Sequence, residues 1–113
     1  MKYQIVNEND FLLIKVSGNT RKNEAVLSNA QLKPYLQGKG IKVIIDFKEL
    51  GQFEPTTLLV VLNTLKKEID FLRGSLMVCS LKPEMEGYMR KNRLDHIFYI
   101  FDDMEKAKQS IGS

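Results

Sequence analysis

The chain contains 113 residues, a length typical of one domain, and we expect that domain to cover residues 1–113. Hydrophobic residues make up 43% and charged residues 27%, which is typical of a globular protein and excludes a disordered one. Seventeen basic side chains against fourteen acidic ones give a net charge of +3 without a basic stripe, so we expect no direct nucleic-acid binding. No apolar stretch approaches the roughly 20 residues that span a bilayer, and one cysteine excludes an internal disulfide. The sequence therefore predicts a cytoplasmic domain that does not insert into membranes.

The first third of the chain predicts a hairpin followed by a helix. Short apolar runs at 3–8 and 11–16 flank an Asn-Asp turn pair, which is typical of two antiparallel strands. Residues 23–37 carry apolar side chains at a loosely helical period. Because proline lacks the backbone N–H that a helix interior needs, we expect Pro34 to kink or split this helix.

The rest of the chain alternates strands with helices. A strongly β-branched run at 41–47 is typical of a buried parallel strand. After it, the predicted elements are helix 55–70, strand 76–79, helix 83–91, strand 97–101 and helix 102–111. Right-handed crossovers then predict a single small α/β domain, with a mixed, mainly parallel sheet that begins with the N-terminal hairpin and is flanked by helices. Its predicted core includes Val43, Ile45, Leu58, Leu62, Leu65, Val78 and Phe98.

The sequence contains no arrangement that predicts an enzyme. Cys79 lies in an apolar strand, where a buried thiol is not activated. His96 is the only histidine, so it lacks the partners of a metal site or a catalytic triad. Asp102 precedes the last helix and is most simply its N-cap. We therefore expect no catalytic residue, no metal and no cofactor.

The start of the helix at 55–70 is the most informative segment. At about 100° per residue, one face is apolar and is predicted to pack on the sheet: Leu58, Val61, Leu62, Leu65 and Ile69. The opposite face presents Thr56, Val60, Asn63 and Lys67, with Leu59 at its border. Thr56 and Thr57 lie at the helix N-terminus, where free N–H groups and the helix dipole favour a phosphate. The simpler interpretation is that one of these threonines caps the helix.

At this segment the chain resembles the STAS family, named for sulphate transporters and anti-sigma factor antagonists, and the resemblance is clearest from Lys42 to Lys108. In that family a strand ending in Asp precedes a loop and the motif Asp-Ser-Ser-Gly-Leu-Gly, which opens a helix. Here Val-Ile-Ile-Asp-Phe at 43–47 precedes Glu-Pro-Thr-Thr-Leu-Leu at 54–59. Residues 92–98 resemble the family's Gly-Leu-Asp-x-Ile/Leu-Phe stretch, and 100–107 resemble its closing Ile-Phe-Asp-Ser-x-Glu-Glu-Ala. The matches keep the family's order and spacing over nearly the whole chain.

The resemblance implies a non-enzymatic domain that binds other proteins. In the antagonists, the second serine of Asp-Ser-Ser-Gly is phosphorylated by a partner serine kinase that is also the anti-sigma factor, and phosphorylation separates the two proteins. By position, Thr56 matches the phosphoacceptor and Glu54 matches the preceding Asp. The surface implied for the partner comprises Glu54, Pro55, Thr57, Leu59, Val60 and Asn63. We expect the chain itself to be a monomer or a weak dimer.

Three departures from the family motif leave alternatives open. Pro55 replaces the first serine, Thr57 replaces the glycine that keeps the backbone bare, and Leu59 replaces the second glycine. One alternative is a degenerate STAS scaffold that docks constitutively, with Thr56 only a cap. The other is a transport-associated STAS subunit that contacts a membrane protein complex.

Overall fold

Five strands and three α-helices form the part of the chain that the computed structural model describes, residues 2–19 and 33–112. The strands are β1 (Lys2–Asn7), β2 (Leu12–Gly18), β3 (Lys42–Leu50), β4 (Ser75–Cys79) and β5 (Tyr99–Phe101). The helices are α1 (Pro55–Phe71), α2 (Pro83–Lys91) and α3 (Met104–Gly112), with a 3₁₀ turn at Leu94–His96. The helix predicted over 23–37 lies mostly outside the described residues, and residues 33–35 form a turn.

The strands form one mixed sheet in the order β1-β2-β3-β4-β5. β1 pairs antiparallel with β2, and each later pairing is parallel. The register aligns one row of branched apolar side chains across all five strands: Ile5, Ile14, Ile45, Val78 and Ile100. These pairings confirm the predicted mainly parallel sheet with an N-terminal hairpin.

Helices cover both faces of the sheet. On one face, α1 and α2 pack over the row that contains Ile45, and on the other α3 packs through Ala107 against Ile44 and Met77. Because β3 is covered on both sides, five consecutive residues from Val43 onward are buried, which explains why apolar side chains do not alternate with polar ones from Val43 to Ile45. All seven residues of the predicted core are buried. Among the described residues, no helix is long and apolar enough to cross a bilayer.

Several strand boundaries differ from the predicted ones by one to three residues, and the end of β3 and the start of β5 show why. β3 continues to Leu50, because Gly18 and Leu50 still pair after a register shift in β2. Asp46 therefore lies within the strand, where its Oδ1 accepts the N–H of Lys48 at 2.9 Å. At the other end of the chain, β5 begins only at Tyr99, since Ile97 and Phe98 continue the turn that follows the 3₁₀ segment and both donate their N–H groups to the carbonyl of Leu94 at 3.0 Å.

The expected N-cap of the last helix is wrong by one residue. Asp103 Oδ1 accepts the backbone N–H of Lys106 at 2.9 Å, the hydrogen bond that an N-cap makes to the third helical residue. Asp102 instead accepts a hydrogen bond at 2.8 Å from the Lys106 ammonium. The two adjacent aspartates thus have different roles at the start of α3.

Candidate functional site

The loop between β3 and α1 is held in place by the end of β2. The Gly51 N–H donates to the carbonyl of Gly18 at 2.7 Å, and the Gln52 N–H donates to Oδ1 of Asn19 at 2.8 Å. A Cβ on Gly51 would collide with Oδ1 of Asn19, so a larger residue would displace the side chain that accepts the Gln52 N–H. The loop therefore places the start of α1 near the carboxyl end of β3.

Glu54 is the N-cap of α1. Its backbone is extended, with φ −106° and ψ 117°, and Pro55 occupies the first helical turn, where a missing N–H costs nothing. Glu54 Oε2 accepts the backbone N–H of Thr57 at 2.7 Å and the Thr57 hydroxyl at 2.9 Å. The expectation that a threonine caps this helix is wrong. The signal was in the sequence, because a proline at the first helical position marks the preceding residue as the cap.

These hydrogen bonds also favour the ionised form of Glu54. The backbone N–H of Thr57, followed by its hydroxyl, lowers the pKa of the Glu54 carboxyl, and the N–H and hydroxyl of Thr56 add smaller contributions in the same direction. Glu54 is therefore ionised at neutral pH. Its negative charge lies at the positive end of the helix dipole, where it is favourable.

The two adjacent threonines are placed differently. Thr57 is 7% exposed, and its hydroxyl donates to Glu54, so it adds little accessible surface. Thr56 is exposed at the same helix end. Of the two hydroxyl-bearing side chains, Thr56 is the one that an incoming protein would meet.

The outer side of α1 forms a strip of exposed residues that begins at Thr56. Val60, Asn63 and Lys67 follow it at helical spacing and are all exposed, and Val60 has 44% of its surface accessible. We call these four residues the outer strip. Leu59 lies half-buried at its border. The five residues assigned to the opposite face are buried, which confirms both predicted faces.

Cys79 and His96 are the two residues that the sequence raised as candidates for catalysis. Cys79 is fully buried, and burial, followed by the nearby charge of Asp46, raises the pKa of its thiol to about 12. The thiol is thus protonated at neutral pH and is a poor nucleophile. His96 is exposed in the 3₁₀ turn. Within residues 2–19 and 33–112, no three His, Cys, Asp or Glu side chains form a group that could hold a metal ion.

Comparison with solved structures identifies the fold. No protein-family model and no curated protein sequence matches the chain. An anti-sigma factor antagonist (STAS) domain protein from Planctomyces limnophilus superposes with a TM-score of 0.69 at 14% identity, over 98% of both chains. The crystal structure of TM1081 from Thermotoga maritima, a proposed anti-sigma factor antagonist, gives 0.63 at 21% identity, over 99% of this chain and 94% of that one. An NMR structure of the protein TM1081 gives 0.65 at 20% identity, over 96% of this chain and 86% of that one. The chain therefore has the STAS fold found in anti-sigma factor antagonist domain proteins.

Proposed function

We propose that this chain is a non-enzymatic signalling module that binds a protein partner through the start and outer strip of α1, and that phosphorylation of Thr56 releases this partner. The observation that carries the proposal is the different placement of two adjacent threonines. Thr56 is exposed beside Val60, whereas Thr57 is buried against Glu54. A kinase would therefore reach the Thr56 side chain, at the position that matches the phosphoacceptor of the resembling family.

The release mechanism follows from charge placed in an apolar contact. Thr56 and Val60 are four residues apart on a helix, so their side chains are neighbours on its surface. A phosphate on Thr56 adds about −1.5 to −2 charges at pH 7. A partner that covers Val60 and the exposed part of Leu59 would have to desolvate that charge without a counter-ion, which is costly. Phosphorylation would therefore weaken binding while leaving the fold intact.

The partner that fits this proposal is an anti-sigma factor that is also a serine/threonine kinase. The fold shared with anti-sigma factor antagonist domain proteins supports a protein partner. If one protein both docks on α1 and phosphorylates Thr56, a single interface with α1 serves both steps. Such a pair would act in the cytoplasm, where the sigma factor is captured and released.

A second candidate is a constitutive docking module in which Thr56 is never modified. The observation that favours it is the position of Glu54, whose carboxylate interacts with the N–H and hydroxyl of Thr56. A phosphate on Thr56 would lie beside this ionised group, and like charges repel. In that case Val60 would still contact the partner, but no charge would switch the contact.

Partner capture followed by calorimetry distinguishes the two candidates. The chain is captured from its native cells, and mass spectrometry identifies bound proteins and locates phosphate on peptides that contain Thr56 and Thr57. The purified partner is then titrated with the parent protein, Thr56→Glu and Val60→Lys, with Lys48→Ala in β3 as an exposed control away from α1. We expect phosphate on Thr56 and at least about tenfold weaker binding for both α1 variants, since truncated or charged interface anchors cost more than about 1.4 kcal/mol.

Two outcomes would change the assignment. If Thr56→Glu and Val60→Lys both bind like the parent protein, the partner docks elsewhere and both candidates fail. If only Val60→Lys weakens binding and Thr56 carries no phosphate, the constitutive docking module is the correct one.

A further inference from the structure

The cap of α1 and the proposed phosphoacceptor are neighbours in space as well as in sequence. Glu54 Oε2 accepts the backbone N–H of Thr57 at 2.7 Å and its hydroxyl at 2.9 Å. Because the Thr57 nitrogen is two bonds from the Thr56 Cα, this oxygen lies within about 6 Å of that Cα. The N–H and hydroxyl of Thr56 also lower the pKa of the Glu54 carboxyl, which places both groups within its reach. A group attached to the Thr56 hydroxyl would therefore lie beside a negative charge.

The ionised form of Glu54 is stabilised by N–H and hydroxyl groups. Among the described residues, Thr57 and Thr56 supply the contributions that lower the pKa of its carboxyl, and no basic side chain is one of them. The Lys82 ammonium reaches the loop before α1, but there it donates to the carbonyl of Gly51 at 3.4 Å. The backbone N–H groups and the helix dipole therefore have to balance any further negative charge added at the start of α1.

A phosphate on Thr56 would compete with Glu54 for these same groups. It carries about −1.5 to −2 charges at pH 7 and three acceptor oxygens, whereas the carboxylate carries a single charge. Negative groups a few ångströms apart disfavour each other's charged forms, so the two cannot share the helix start without a large penalty. The phosphate is attached to the first turn of α1, while the half-buried Glu54 precedes it on a flexible side chain. The carboxylate is therefore the group that can turn away into water.

Resting on the proposed modification of Thr56, we propose that phosphate at Thr56 and the Glu54 cap exclude each other, so that phosphorylation expels the Glu54 carboxylate from Thr57. The Thr57 N–H and hydroxyl then lose their acceptor on Glu54 and become available to phosphate oxygens. The unmodified and phosphorylated proteins thus have two alternative arrangements of the same helix start. Glu54 is a positioning residue in the first arrangement and is released in the second.

The exclusion adds a change of shape to the change of charge in the proposed switch. Glu54 belongs to the surface predicted to meet the partner, so an expelled carboxylate alters that surface beside the phosphate. Because coupling between two binding events is reciprocal, a partner that contacts Glu54 in its capping position opposes phosphate on Thr56, and the phosphate opposes that partner to the same degree. The repulsion between phosphate and Glu54 is then relieved by movement of the carboxylate, and Thr56 does not have to stay unmodified.

Urea denaturation at pH 7, with and without phosphothreonine installed at position 56 during synthesis, tests the exclusion without a kinase or a partner. We expect Glu54→Gln to destabilise the unmodified protein but not the phosphorylated one, and the two effects on the unfolding equilibrium constant should differ by about fivefold or more. Glu105→Gln is the matched control, because Glu105 is exposed in the first turn of α3 on the other face of the sheet and should act equally in both forms. Equal effects of Glu54→Gln in both forms would overturn the proposal. If the phosphorylated protein does not fold, Glu54→Gln should restore folding, and failure to restore it would equally contradict the exclusion.

NMR titration of the same two proteins follows the expulsion directly. In the unmodified protein the pKa of Glu54 lies below its ordinary value of 4.5, and the Thr57 amide resonance should follow the titration of this carboxyl. In the phosphorylated protein the carboxyl has lost these hydrogen bonds and lies near a negative group, so its pKa should rise above 4.5 and the Thr57 amide should no longer follow it. A Thr57 amide that still follows Glu54 would show that the cap survives phosphorylation. Absence of phosphate on Thr56 in native cells would instead refute the proposed switch and leave this result standing.

Discussion

The carboxylate of Glu54 holds Thr57 by two hydrogen bonds, at 2.7 Å from the backbone N–H and 2.9 Å from the hydroxyl. These hydrogen bonds give the neighbouring residues Thr56 and Thr57 different roles. Thr57 helps to begin α1, while Thr56 stays at the surface. The larger contribution to the cap thus comes from Thr57, and the side chain that matches the family's phosphoacceptor contributes less.

The Glu54 cap predicts a pH dependence of stability. Hydrogen bonds from Thr57 lower the pKa of this carboxyl below its ordinary value of 4.5, so the cap contributes fully above pH 4.5 and is lost as the pH falls through the lowered pKa. Glu54→Gln should therefore have a lower thermal midpoint than the parent at pH 7. The difference should shrink at pH values well below 4.5. A difference that stays constant from pH 7 to pH 3 would show that the ionised cap is not responsible.

The hydroxyl of Thr57 contributes to stability, and that of Thr56 does not contribute comparably. Thr57→Val removes the hydrogen bond to Glu54 at a buried position, so we expect a loss of about 0.5–1.5 kcal/mol in the free energy of unfolding. Thr56→Val is the matched control and should change it by less than about 0.5 kcal/mol. Urea denaturation measures both. Equal losses would contradict the assigned division between the two threonines.

Ile45 and Leu62 should be among the most sensitive core positions. Both side chains are completely buried between β3 and α1, so replacing either by alanine should cost about 2–5 kcal/mol in unfolding free energy. Val60→Ala, on the exposed side of the same helix, is the control and should cost far less. Losses below about 1 kcal/mol at both core sites would mean that the sheet-facing side of α1 is misplaced.

Cys79 should be chemically inert in the folded protein. Burial raises the pKa of its thiol to about 12 and blocks access of reagents. A thiol-reactive dye at pH 8 should therefore label the native protein far more slowly than the urea-unfolded protein. Cys79→Ala and His96→Ala should both retain partner binding. Rapid labelling of the native thiol, or loss of binding in a folded variant, would reopen a functional role for the residue concerned.

Asp103 should matter more to α3 than Asp102 does. Asp103→Ala removes the cap from the Lys106 N–H and should cost about 0.5–2 kcal/mol in unfolding free energy. Asp102→Ala removes only an exposed contact with the Lys106 ammonium and should have a much smaller effect, because such surface pairs contribute little. Chemical denaturation of the two variants side by side provides the comparison. A larger effect at Asp102 would reverse the assignment.

The sequence predicted the elements of the sheet and α1 well, but their ends less well. The period of α1 separated its buried and exposed faces, and the β-branched run in β3 predicted a strand buried on both sides. The end of β3 was missed because Lys48 and Glu49 are polar, while the strand continues through pairing with β2. Backbone pairing between distant segments does not require apolar side chains, so composition alone could not locate Leu50 as the last residue.

The sequence by itself determined the STAS-like order of elements and the face of α1 that carries Thr56, because hydrophobic periodicity depends only on the order of residues. The tertiary structure decided how much of each threonine is accessible and which acidic groups cap α1 and α3, since these depend on contacts between individual side chains and backbone N–H groups. It also decided that Ile97 and Tyr99 remain exposed. In the sequence they belong to one apolar run, whereas in the structure Ile97 lies in the turn before β5 and Tyr99 begins β5, the last strand of the described sheet.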